Sequence, residues 1–205
     1  MVSNTDAMKV LSVHDNDAAF HIHFMKLAIE QANLSAPVPS GYCVGAVLVQ
    51  ETHQDPDSDI PQEDRFRVVT TGYSRELPGN THAEECCLLK LPSIIDPELG
   101  TAEIESALDE KALAATKAHR PKKEWIMYST MEPCSTRLSG NRSCSDRLIE
   151  SGVRRVYVGV REPDHFVKTV VGVENMVKQG IDVVYIPGLE KECLAPNQHV
   201  LAPSS

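Results

Sequence analysis

Apolar residues recur along this chain at two spacings, one helical and one extended. From Asn16 onward, Phe20, Phe24, Leu27 and Ile29 return at helical intervals, and the run stops near Asn33, ahead of Pro37 and Pro39. The apolar stretch Val44–Val49 predicts a strand, and residues 65–73 predict a second. Between them, residues 51–64 are polar and acidic with two prolines, which reads as a solvated hairpin loop. The next helix is predicted over 82–91, opened by Asn80-Thr81. Residues 97–119 are rich in Ala, Glu, Leu and Lys, with Ile104, Leu108 and Ala112 on one stripe, and predict a surface helix that elaborates the domain. Strands and helices then alternate. A strand at 125–130 is followed by a helix from Cys144 to Gly152, a strand at 153–160 and a helix over 170–177 closed by Gly180. A strand at 181–186 and a last helix from Leu189 complete the series, while residues 1–15 lack periodicity and are expected to form a loose arm.

A hairpin followed by alternating strands and helices predicts an α/β fold in which the last three strands are parallel neighbours. The expected architecture is a three-layer α-β-α sandwich around a central five-stranded mixed sheet. At 205 residues the chain can bury one self-sufficient core, so residues 16–205 are read as a single domain.

Charge and cysteine content narrow the function. A formal net charge of −9 repels phosphate backbones, so no nucleic acid is expected as a bulk ligand. No apolar run approaches the ~20 residues of a membrane span, so no membrane partner is expected either. The start, Met1-Val2-Ser3-Asn4-Thr5-Asp6, lacks the basic and apolar regions of a secretory signal, which points to a reducing cytoplasm. There the six cysteines, at 43, 86, 87, 134, 144 and 193, indicate a metal or catalysis before disulfides.

Three stretches carry the chemistry: Thr81-His82-Ala83-Glu84, Glu132-Pro133-Cys134 and Cys144. One imidazole and two thiolates suit Zn2+, and with three protein donors a fourth tetrahedral position stays open for water. Each donor is expected at or just before a helix start, where partial positive charge favours the thiolate. His-x-Glu followed by Pro-Cys and a second cysteine is the signature of zinc nucleobase deaminases, although here nine residues separate Cys134 from Cys144. Thr81-x-x-Glu84 also reads as a helix-capping box, and Cys86 shares a helix face with His82. The conjunction of all three stretches favours His82, Cys134 and Cys144 as zinc ligands and Glu84 as the acid–base group. Cys43, Cys86, Cys87 and Cys193 are expected to pack in the core, and the remaining histidines are given no role.

On these residues the chain resembles the cytidine deaminase superfamily, within it the deaminases of riboflavin biosynthesis. The resemblance covers roughly residues 40–190 and includes Val44-Gly45-Ala46-Val47, Gly152-Val153-Arg154-Arg155-Val156, Glu162-Pro163-Asp164 and Gly180-Ile181-Asp182-Val183. The long loop from Ser135 to Ser143 is similar to the fungal form. The resemblance implies a cytidine deaminase-type sandwich, a homodimer and a small phosphorylated pyrimidine substrate. The implied reaction is hydrolytic deamination of 2,5-diamino-6-(ribitylamino)pyrimidin-4-one 5′-phosphate to the corresponding uracil, releasing ammonia. With neither a reductase nor a pseudouridine-synthase domain in the sequence, a stand-alone deaminase is expected. Two departures matter: Gly41-Tyr42-Cys43 stands where bacterial relatives have Asn-Pro, and Thr136 where they carry a histidine. Bacterial substrate contacts therefore do not transfer.

A phosphorylated substrate needs local cations on an acidic protein. Arg137 and Arg142, with Ser139, Gly140 and Asn141 between them, lie in the loop joining the two cysteine ligands, and Asn80 opens the helix of His82. Arg137, Asn141, Arg142 and Asn80 are the candidate substrate contacts. Competing readings are a cytidine-, deoxycytidylate- or guanine-type deaminase and a non-catalytic zinc-binding subunit. The presence of Glu84 argues against the second, because a structural zinc site has no use for that carboxylate.

Overall fold

A computed structural model of the chain describes residues 8–12, 14–52, 62–95, 125–163 and 171–201. The elements are β1 (Lys9–Val10), α1 (Ala18–Ala32), β2 (Gly45–Glu51), a 3₁₀ turn (Gln62–Arg65), β3 (Phe66–Tyr73), α2 (Ala83–Ile95) and β4 (Trp125–Met131). They continue with α3 (Cys144–Ser151), β5 (Arg155–Val160), α4 (Gly172–Lys178), β6 (Asp182–Tyr185), α5 (Glu190–Leu194), a 3₁₀ turn (Ala195–Asn197) and α6 (Gln198–Leu201). The expected surface helix at 97–119 and most of the 51–64 loop lie outside the described residues.

One sheet runs in the order β1-β6-β5-β4-β2-β3. Strands β1, β6, β5 and β4 are parallel neighbours, as expected for the β-α-β alternation, while β2 runs antiparallel to both β4 and β3. The sheet has six strands, where the sequence predicted five. The extra strand comes from the expected loose arm: Lys9 and Val10 pair with Val184 and Tyr185. The Leu11 N–H donates to the Tyr185 carbonyl at 2.8 Å, the Lys9 ammonium meets the Asp182 carboxylate at 2.5 Å, and Leu11 is buried. A two-residue strand is too short to show a period, and its stability comes from covering the edge of β6.

Residues alternate between two cores, one on each face of the sheet. Val47, Val49, Ile126, Tyr128, Tyr157 and Val184 pack with α1 and α5 through Phe24, Met25, Ala28 and Cys193. Ala46, Leu48, Met127, Val156, Val158 and Val183 pack with α2, α3 and α4 through Cys87, Leu88, Leu91, Leu148, Val173 and Met176. This is the expected three-layer sandwich. The buried stripe of α1 is Ala18, His21, Phe24, Met25, Ala28 and Ala32, while Phe20, Leu27 and Ile29 pack at its margin. Small residues face inward because α1 lies against the Gly45 backbone, where a Cβ would fall 2.0 Å from the Ala28 carbonyl.

Candidate active site

The chemistry-bearing residues meet around the carboxyl ends of β4 and β5, where open α/β sheets commonly bind ligands. One wall is the start of α2. Gly72 of β3 lets this helix approach, since a Cβ there would lie 2.3 Å from the Ala83 carbonyl. The capping-box reading fails in a specific way. The Thr81 hydroxyl is spent on Leu77, donating to its carbonyl at 2.7 Å and accepting its N–H at 3.2 Å. The side chain that accepts the His82 N–H is Glu85, at 3.1 Å. Glu84 is thereby left free to face the cleft, although it is only 3% exposed.

The His82 Nδ1 lies 3.5 Å from the sulfurs of both Cys134 and Cys144, and the three donor atoms fall within 4.8 Å of one another. Among the described residues no fourth His, Cys, Asp or Glu joins them. One imidazole and two sulfurs converging beside an open cleft fit zinc in a three-donor site. Cys144 is the first residue of α3, as expected. Cys134 differs: it sits in the loop after β4, with no helix start of its own. The first turn of α3 serves both sulfurs. Its Cys144 N–H points to the Cys134 sulfur at 3.4 Å, the Ser145 N–H to the Cys134 carbonyl at 3.1 Å, and the Asp146 N–H to the Ser143 hydroxyl at 3.2 Å. Backbone donors that a helix leaves unpaired are thus used to hold the cysteine loop.

The Cys144 thiol hydrogen-bonds Cys134 and, with His82 helping against the cost of burial, draws its pKa down to about 4. The same bond pushes Cys144 upward. Burial works against charging His82, but its hydrogen bond to Cys134 and that sulfur's charge outweigh it and raise the imidazole. Burial, then the Cys134 charge, raises Glu84. The Ser129 hydroxyl stands 3.0 Å from Glu84 Oε1 and 2.7 Å from the Met131 carbonyl.

The cleft holds about 140 Å³. Besides His82, Glu84 and Cys134 it is lined by Tyr42, Arg75, Asn80, Glu132, Thr136, Arg137 and Glu162. Of the expected substrate contacts, Asn80 and Arg137 belong to this lining and Asn141 and Arg142 do not. Arg137 is not a free cation: its side chain is 2% exposed, pairs with Glu85 at 2.7 Å and donates to the Asn80 carbonyl. Arg142 pairs with Glu150 at the surface. Arg147 adds a second bond to Glu85 at 2.8 Å. Ser129, Glu85 and Arg75 have no role in the sequence reading, and Glu132 and Glu162 enter it only within Glu132-Pro133-Cys134 and Glu162-Pro163-Asp164. Arg75 has a left-handed φ of 65°, a conformation any single sequence conceals. Its guanidinium donates to the carbonyls of Tyr42 (3.1 Å) and Ala36 (2.7 Å) and to the Ser35 hydroxyl (2.9 Å), bracing the loop that forms the opposite wall. Burial, with the charges of Cys134 and Glu132, pushes Glu162 up to about 7.

The other four cysteines are buried, as expected, and all six are free. Cys86 turns its thiol toward the Tyr73 carbonyl at 3.5 Å rather than toward the donor group. No helix among the described residues is long and apolar enough to cross a membrane.

Residues 62–160, which contain all three donors and Glu84, match the family model of the cytidine and deoxycytidylate deaminase zinc-binding region. The diaminohydroxyphosphoribosylamino-pyrimidine deaminase of Schizosaccharomyces pombe is 38% identical over 174 residues, covering 85% of this chain and 34% of its own length. The riboflavin biosynthesis protein RibD of Aquifex aeolicus is 30% identical over 165 residues, covering 78% of this chain and 33% of its own. The chain thus spans about a third of the length of these curated relatives. Among solved structures, the Rib2 deaminase of Aspergillus oryzae (a C-terminal deletion mutant) superposes with a TM-score of 0.64 at 33% identity, over 86% of this chain and 89% of that one. That deaminase has also been solved in complex with DARIPP. By its zinc-binding region, its donor set and its likeness to these enzymes along most of its length, the chain belongs to the cytidine deaminase superfamily, in the branch of the riboflavin-biosynthesis deaminases.

Proposed function

We propose that this chain is a zinc-dependent hydrolase that deaminates 2,5-diamino-6-(ribitylamino)pyrimidin-4-one 5′-phosphate at the carbon bearing the 2-amino group. The observation that carries the reading is a buried carboxylate, Glu84, facing the cleft beside three convergent zinc donors. A structural zinc site needs no such group. The choice of substrate is supported by the similarity to a fungal diaminohydroxyphosphoribosylamino-pyrimidine deaminase and to a Rib2 deaminase that binds DARIPP.

His82, Cys134 and Cys144 would hold the zinc, which when bound supplies a water molecule acidic enough to ionise near neutral pH. Glu84 takes the proton from the attacking water and delivers it to a ring nitrogen. It then takes the remaining proton from the hydroxyl on the attacked carbon and passes it to the departing amine, so that ammonia leaves as the ring carbonyl forms. Ser129 suits both forms of Glu84. With its proton on the Met131 carbonyl it accepts from the protonated acid, and rotated it donates to the carboxylate. Asn80, which lines the cleft, is the proposed contact for the phosphate and ribityl chain, and Arg137, bonded to the Asn80 carbonyl and to Glu85, holds it in place. The proposal includes a homodimer in the cytoplasm, and the six free cysteines fit a reducing compartment.

Ammonia release from the ribityl compound, its ribosyl counterpart, cytidine, deoxycytidylate and guanine tests the reading. The expected result is the highest kcat/KM on the ribityl phosphate, and a higher value on cytidine, deoxycytidylate or guanine would replace it with the alternative deaminase.

A further inference from the structure

The inner wall of the cleft carries two carboxylates beyond Glu84. Glu132 follows β4 and Glu162 follows β5, on adjacent parallel strands joined just there by the Glu132 N–H donating to the Val160 carbonyl at 2.8 Å. The two are not equivalent. The Glu132 carboxylate accepts the Glu162 backbone N–H and feels the charge of Arg161. The buried Glu51, Glu85 and Glu84 also have partners: Glu51 pairs with Arg65 and Arg154, Glu85 with Arg137 and Arg147, and Glu84 with Ser129. The Glu162 Oε2 is buried and has no hydrogen-bond partner among the described residues. An acceptor withdrawn from water without a donor is costly, so its position calls for an explanation.

The backbone around Glu162 is fixed. Its N–H is held by Glu132, Pro163 confines it to an extended conformation, and the Pro163 carbonyl accepts from the Tyr42 hydroxyl at 3.3 Å. Tyr42 in turn belongs to the loop that Arg75 braces. The Glu162 backbone N–H and Tyr42 are tied down while the Glu162 carboxyl group faces the cleft. An unsatisfied carboxyl oxygen held in the cleft is complementary to an N–H donor, not to a phosphate. The proposed substrate presents amine N–H groups on two ring carbons where cytosine has only C–H.

Resting on the function proposed above, we propose that Glu162 is a substrate-binding and specificity-determining residue that accepts hydrogen bonds from the amine N–H groups of the pyrimidine ring. A ring without these donors leaves the carboxylate unpaired, and a buried polar group left unpaired is how sites reject close analogues.

The experiment compares zinc-loaded wild type with Glu162→Gln and Glu162→Asp. The readouts are steady-state ammonia release from the ribityl phosphate, zinc content and thermal melting. Glu162→Gln, isosteric but offering a donor amide, is expected to lower kcat/KM about ten- to a hundredfold with zinc content unchanged. Glu162→Asp, which keeps the acceptor, should recover part of that loss. A kcat/KM of Glu162→Gln within twofold of wild type overturns the inference, as does loss of zinc from that variant, which would place the residue in the metal site. Wild type that is inactive on the ribityl phosphate but deaminates cytidine overturns the functional reading. The substrate then lacks the two further ring amines that Glu162 is proposed to recognise, and the inference falls with it. Activity on the ribityl phosphate together with an unaffected Glu162→Gln sinks the inference alone.

Discussion

Glu84 and Glu85 are adjacent and chemically identical, yet one faces the cleft and the other caps the helix that carries both. Glu85 accepts the His82 N–H and pairs with two arginines, whereas Glu84 meets Ser129 and the donor group. The His-x-Glu spacing pointed to Glu84, but the competing capping box could be dismissed only once Thr81 was seen bonded to Leu77. Glu84→Gln should keep zinc and lose at least about a hundredfold in kcat, the usual scale of a lost acid–base group, as checked by metal analysis beside turnover. Near-normal turnover would remove Glu84 from the mechanism. Ser129→Ala should lower kcat roughly tenfold with little change in KM, because the hydroxyl orients Glu84 and does not hold substrate. A rise in KM alone would place Ser129 against the ring instead.

At the scale of elements, the site is a matter of how α2, α3 and the loop between the cysteines are docked. Gly72 is the contact on which α2 rests, and Gly72→Ala would drive a methyl to 2.3 Å from the Ala83 carbonyl. Because backbone is met on both sides, the variant should lose ~3 kcal/mol or more and bind zinc less tightly, read from denaturant unfolding and a competitive chelator titration. Arg137 was expected to touch the substrate, since two arginines between metal ligands look like an anion site. Tertiary structure turns it inward, where it ties the cysteine loop to the start of α2 through Glu85 and the Asn80 carbonyl. Arg137→Ala should therefore cost ~2–3 kcal/mol of stability, less than a fully broken buried pair because Arg147 stays on Glu85. Unchanged melting with a raised KM would restore the expected role.

Across the whole molecule, the face of the sheet opposite α2 holds a buried histidine that the sequence reading passed over. His21 is 5% exposed, hydrogen-bonds the Tyr128 hydroxyl through Nδ1 at 2.7 Å and stacks on Tyr157 at 4.2 Å. Burial, joined by Arg155 and Arg154 and opposed by Asp17, lowers its pKa from 6.5 to about 4. A group whose folded pKa is depressed contributes stability that is complete above its unfolded pKa. That contribution is lost as pH falls from about 6.5 through about 4, a total of ~3 kcal/mol. Denaturant midpoints between pH 7 and pH 4 should show this loss, and His21→Gln, which keeps an acceptor for Tyr128, should flatten it. An equal slope in both proteins would assign the acid sensitivity to carboxylates.

The sequence by itself determined most of the element types, their order and the parallel half of the sheet, singled out His82, Cys134 and Cys144 as a donor set and pointed to Glu84 beside them. These follow from periodicity within ten or so residues and from donor chemistry that tolerates few substitutes. Only tertiary structure decided that Lys9 and Val10 complete the sheet, that one helix start serves both sulfurs, that Arg137 is internal and that Glu162 stands unpaired in the cleft. Each of these depends on partners remote in the chain. Arg137 lies 52 residues from Glu85 and Lys9 lies 173 from Asp182, and no local pattern encodes which of several equivalent charges will be neighbours after folding.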